Sequence, residues 1–104
     1  MSGIEENVQL NQNSRSKDGK LIIINQQPVM EYALDILTEL VQYKTITLMA
    51  RGDSIPTAVA IANVLTENML KGNSKIQNIE VDSESPDGNH AMVSIIRITV
   101  TKTN

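Results

Sequence analysis

Cysteine is absent from the 104 residues. The chain therefore has no disulfide framework, no thiolate nucleophile and no Cys-ligated metal, and it fits a reducing compartment. Phe and Trp are absent too. Tyr32 and Tyr43 are the only aromatic residues, a poor stock for stacking nucleic-acid bases. No apolar run approaches the roughly 18 residues of a membrane span, and the N-terminus lacks the basic and apolar regions of a signal peptide. The expectation is an intracellular, cytoplasmic protein with no membrane partner. An excess of positive charge is missing as well: nine Lys and Arg stand against twelve Asp and Glu, for a formal charge of −3. Phosphate neutralisation supplies most of the affinity of a generic duplex binder. The balance thus argues against strong nonspecific DNA binding.

Catalytic patterns are missing in the same way. Ser94 has no Gly-x-Ser-x-Gly elbow around it. There is no Ser/His/Asp set, glycine-rich phosphate loop or paired buried carboxylate. Asp82, Glu84, Asp87 and His90, the sole histidine, match no EF-hand or zinc spacing. The chain is expected to be no enzyme and to hold no cofactor and no metal. Arg51-Gly52-Asp53 spells an adhesion tripeptide, which in an intracellular chain is coincidence.

What is present is an aliphatic core and a clear order of elements. A chain of this length forms one domain and buries roughly 60–65% of its unfolded surface. Residues 1–18 are polar, rich in Asn, Ser, Gln and Glu, and read as a flexible tail ahead of a domain over 19–104. Lys20 to Ile24 reads as a first strand. Pro28 suits the first turn of a helix from about 28 to 42, with Val29, Tyr32, Ala33, Ile36, Leu37, Leu40 and Val41 as its apolar stripe. Glu31, Asp35 and Glu39 form an acidic row on its other side. Residues 44–50 alternate, with Ile46, Leu48 and Ala50 on one face and Thr45, Thr47 and Met49 on the other. Asp53 or Ser54 is placed to cap a second helix reaching about residue 70, and Lys71-Gly72-Asn73 ends it. Ile76 to Val81, running on to Ser85, is a third strand. Ser85-Pro86-Asp87-Gly88-Asn89 is a turn, and Ala91 to Thr101 is a fourth strand. The order βαβαββ predicts an α+β two-layer sandwich, a mixed four-stranded sheet with two helices on one face.

Four motifs in this order resemble the Alba family of archaeal chromatin proteins. Pro28-Val29-Met30 and Tyr32 match the segment that opens the family's first helix. Ala50-Arg51-Gly52 matches the end of its second strand, and Ile55-Pro56-Thr57-Ala58-Val59 matches the opening of its next helix. Asp87-Gly88 with Val93-Ser94-Ile95-Ile96 matches its last hairpin. The likeness covers about residues 20–102. It implies a dimer that sets paired Lys-bearing loops against the minor groove and reaches along the duplex with hairpin arms. It also implies RNA binding, in both cases through phosphate contacts. Met69 falls where the family often has an aromatic in a dimer–dimer contact; the alternative is that it ends the core stripe.

The departures fall on the contact positions. Gln26 and Gln27 replace the family's Lys pair, Asp53 follows Arg51-Gly52 where a basic residue is common, and Thr57 takes a Lys position. Asn89 and His90 stand at the hairpin tip where Arg is common. Glutamine hydrogen-bonds a phosphate but releases no counterion. The expected nucleic-acid-binding residues are Gln26, Gln27, Arg51, Gly52, Asp53, Thr57, Asn89 and His90. The expected function is weak, salt-sensitive binding of DNA or RNA by a nucleoid-associated homodimer or by a heterodimer with a basic Alba-like paralogue. The alternative is an Alba-fold protein-interaction module that has lost nucleic acid.

Overall fold

The computed structural model describes residues 19–85 and 91–103. The polar segment 1–18 and most of the expected turn, including Asp87, Gly88, Asn89 and His90, lie outside the described residues.

The elements are β1 (Lys20–Ile23), α1 (Val29–Tyr43), β2 (Thr45–Arg51), a short 3-10 turn (Gly52–Ser54), α2 (Ile55–Val64), a π turn (Leu65–Met69), β3 (Ser74–Glu84) and β4 (Val93–Lys102). The sheet order is β1-β2-β4-β3. β1 runs parallel to β2, and the other two pairings are antiparallel. The expected mixed four-stranded sheet with its two helices is therefore what forms.

Pro28, at φ −57° and ψ 135°, leads into α1. Its missing N–H costs nothing there, because first-turn donors have no partner within the helix. Ala33, Ile36 and Leu40 are buried under α1. They meet Ile46, Leu48 and Ala50 of β2, Ile96, Ile98 and Val100 of β4, and Ala58, Ile61, Ala62 and Leu65 of the second helical segment in one core. The three helical alanines, Ala33, Ala58 and Ala62, leave room for the helix backbones to approach each other and the sheet. On the other face of the sheet, Thr45 meets Thr101 and Thr47 meets Thr99 through hydroxyl pairs at 3.2 and 3.1 Å. These cross-strand pairs satisfy polar groups that the helices do not cover.

Three local expectations change. Val41 is 75% exposed rather than part of the core stripe. Residues advance 100° per step on a helix, so Met30, Leu34 and Val41 fall on an arc beyond Leu37. The apolar arc of α1 is wider than the sheet and α2 can cover. The second helix does not run unbroken to about 70. At its end the Leu70 N–H donates to the Leu65 carbonyl at 2.7 Å, a π spacing. The Thr66 hydroxyl takes the Ala62 carbonyl at 2.9 Å, the side-chain competition that loosens a helical ladder. Leu65, Met69 and Leu70 all still pack against the core, so Met69 does serve the core stripe. Finally, Ser54 stands at the N-cap of α2 without a side-chain cap bond; the 3-10 turn before it takes the place of that cap.

Candidate nucleic-acid interface

Parallel pairing of β1 and β2 brings their C-terminal ends to the same end of the sheet. The Ile24 N–H extends the ladder by donating to the Met49 carbonyl at 2.8 Å. The Asn25 N–H then donates to the Tyr32 hydroxyl at 2.7 Å. That bond ties the loop carrying Gln26 and Gln27 to the first turn of α1. It also gives Tyr32 a role that sequence reading missed: the tyrosine positions the loop from within the helix. Gln26 and Gln27 are exposed. Beside them Ile23, Ile24, Asn25, Met49, Arg51 and Ser54 line a shallow pocket of about 150 Å³.

Gly52 follows Arg51 at φ +51°, a left-handed conformation that glycine adopts without steric cost. A Cβ there would lie 3.8 Å from Val93, so the turn is seated against the root of the hairpin. Asp53 is exposed beyond it, and Thr57 is half-buried in the first turn of α2. Glu84 pairs in register with Val93, and Arg51 with Ile95. The hairpin arm therefore leaves from the same end as the other two loops. Asn89 and His90, expected at its tip, lie outside the described residues.

Arg51 is where the structure adds most. Its Nε donates to the Glu84 Oε2 at 2.8 Å. The partners considered from sequence were Asp53 and nearby backbone carbonyls; the actual one is 33 residues away. Residues directly opposite in an antiparallel pair share a face, so the ion pair reaches diagonally across β4, past Ile95. Ile95 is only 3% exposed although it points away from the helices. Among the described residues the end of the sheet thus offers one cation, Arg51, with the carboxylates of Asp53, Asp82 and Glu84 around it. The N-termini of α1 and α2 open at this end as well, and the unpaired N–H groups of a helix start favour anions.

A family model described as Alba matches residues 20–83. The chain belongs to the Alba family. It is 33% identical over 82 residues to the DNA/RNA-binding protein Alba of Nitrosopumilus maritimus, a match covering 76% of this chain and 86% of that one. It is 33% identical over 86 residues to the protein of the same name from Picrophilus torridus, with 79% and 94% covered. The solved structure of Alba from Thermoplasma volcanium superposes with a TM-score of 0.68 at 29% identity, covering 79% of this chain and 99% of that one. An Alba protein of Trypanosoma brucei shares the fold at a TM-score of 0.64 and 19% identity, covering 89% of this chain and 74% of that one. Among the described residues no group of three or more His, Cys, Asp or Glu side chains is placed to hold a metal ion. No helix among them is long and apolar enough to cross a membrane.

Proposed function

We propose that this Alba protein binds DNA or RNA through phosphate contacts, weakly and in a salt-sensitive way, with residues 19–104 as the binding domain. The observation that carries the reading is convergence. The Gln26–Gln27 loop, the Arg51–Asp53 turn, the start of α2 with Thr57, and the strand ends at Glu84 and Val93 all lie at one end of the sheet. The helix N-termini and exposed backbone donors there supply a partial substitute for the absent lysines. The names of the relatives, DNA/RNA-binding protein Alba, agree with this reading. Nothing in this chemistry calls for an enzyme, a cofactor or a metal.

The working unit in this proposal is a dimer, either with a second copy or with a basic Alba-like paralogue, on chromatin in a cytoplasmic nucleoid. Ile79 and Val81 of the edge strand β3 pair with Ile98 and Ile96, which puts them on the helix side of the sheet. Yet they are 54% and 75% exposed. That uncovered apolar strip supports burial against a partner. Arg51→Ala tests the contact set: affinity for a duplex and the steepness of its salt dependence should both fall, and unchanged binding would remove Arg51 from the site.

A second reading is a protein-interaction module that has lost nucleic acid. The exposed apolar arc of Met30, Leu34 and Val41 on α1, with Glu31 and Asp35 also exposed on that helix, favours it. A low-salt gel shift with and without a basic Alba-like partner separates the two readings. No shift in either lane selects the second.

A further inference from the structure

We infer that the end of the sheet opposite the loop site is a second phosphate-binding edge, formed by Lys44, Lys71 and Lys75. The inference rests on the nucleic-acid reading above.

Among the described residues the lysines gather at one end of the sheet, while Arg51 stands at the other and Arg97 lies mid-strand opposite Met49 and Glu80. Lys44 immediately precedes β2, Lys71 lies in the turn before β3, and Lys75 is the second residue of β3. All three are exposed. The backbone holds them together. The Lys102 N–H donates to the Lys44 carbonyl at 2.8 Å, and the Thr103 N–H donates to the Asn73 carbonyl at 2.8 Å. Lys102 is in register with Ser74, and Lys75 with Thr101. Lys44 and Lys75 thus stand two strand spacings apart, about 10 Å, which is roughly three nucleotides of rise along one strand. Among the described residues the carboxylates near this end are Glu39, already paired with Lys20 at 3.1 Å, and Glu67, one turn ahead of Lys71. No ion pair among the described residues engages Lys44, Lys71 or Lys75.

Lysines at helix C-termini also answer the helix dipole, and that explanation reaches Lys44 and Lys71. It does not reach Lys75, which belongs to an edge strand. Nor does it account for the conformation of Lys44, the one non-glycine residue at positive φ among the described residues, at +68°. Glycine is the usual residue at such a helix end. A lysine there accepts backbone strain, and it keeps a cation where glycine would have none. The six steps of β2 put roughly 20 Å between this rim and Arg51, so the two ends address different stretches of phosphate. The acidic end of a second copy is the competing occupant. The 10 Å row of lysines along the strand ends matches a continuous phosphate backbone better than the scattered Asp53, Asp82 and Glu84.

The test is a fluorescence-anisotropy titration of a DNA duplex and an RNA hairpin at about 50 and 200 mM salt, with the wild-type chain, Lys44→Gly/Lys75→Gln, Lys75→Gln and Arg51→Ala. Lys44→Gly removes the cation while relieving the strained backbone, so its fold is kept and a thermal melt verifies this. Each lost phosphate contact lowers the logarithmic salt slope by about 0.9 on a duplex. The double variant should therefore lose about 1.8, which makes its affinity fall about twelvefold less than wild type across that salt range. Lys75→Gln alone should show half the slope change. Wild-type binding with unchanged slopes in both lysine variants overturns the second edge, and a smaller slope in Arg51→Ala would then leave the loop site standing. Unchanged nucleic-acid binding with lost self-association gives the rim to a second copy and also overturns it. No wild-type binding at the lower salt overturns the edge and the nucleic-acid reading together.

Discussion

Glu84→Gln should make this protein a better nucleic-acid binder. Arg51 donates to Glu84 at 2.8 Å, with their side chains 50% and 37% exposed. A phosphate must displace that carboxylate to use the arginine. Ion pairs of such exposure are worth about 0.2–1 kcal/mol, so removing the competitor gains up to about fivefold in affinity. The salt slope should stay close to that of wild type, because Arg51 makes the same phosphate contact in both proteins. Stability should fall by less than about 1 kcal/mol, because the glutamine amide still faces solvent. The assay is anisotropy at a series of salt concentrations. Two controls isolate the ion pair. Asp82→Asn removes a charge from the same strand and face, but Asp82 accepts from the Ser83 N–H at 2.7 Å rather than engaging Arg51. Arg51→Ala/Glu84→Gln closes a double-mutant cycle. If Asp82→Asn gains as much as Glu84→Gln, or if the gain persists without Arg51, bulk charge is responsible and the competition argument is wrong.

Further expectations follow from packing and backbone. Leu48→Ala, at a fully buried position in β2, should cost about 2–5 kcal/mol and lower the melting temperature by more than about 8 °C. Gly52→Ala places a side chain at φ +51° and should cost about 1 kcal/mol while displacing the turn next to Arg51; a chemical melt and the salt slope read the two effects. Val81→Asp, on the exposed helix side of β3, should leave the monomer folded and shift sedimentation from dimer to monomer. A dimer that persists would place the interface elsewhere.

The fold was readable because its periods are clean. Ile46, Leu48 and Ala50 are buried and Thr45, Thr47 and Met49 are not, as strict alternation in a half-covered strand requires. Pro28 marked the start of α1 to within a residue. What the sequence hid depends on pairing between distant segments. The partner of Arg51 is fixed by the register of β4 against both β2 and β3, and no local pattern carries that register. The exposure of Val41 depends on how far α2 and the sheet reach around α1. The π turn coincides with a hydroxyl–carbonyl contact at Thr66, and the apolar stripe around it carries no sign of either. Of the candidate site, the motif residues placed Gln26, Gln27, Arg51 and Gly52 at one end of the sheet. The anchoring bond from Tyr32 and the grouping of the lysines at the other end emerged only from the topology.

The most direct test of the central claim is the wild-type chain titrated with a DNA duplex and an RNA hairpin at about 20 and 150 mM salt. The account predicts measurable binding at the lower salt that weakens at the higher, with a shallow slope counting the few phosphate contacts left. Absence of binding at the lower salt, alone and with a basic Alba-like partner, would contradict it.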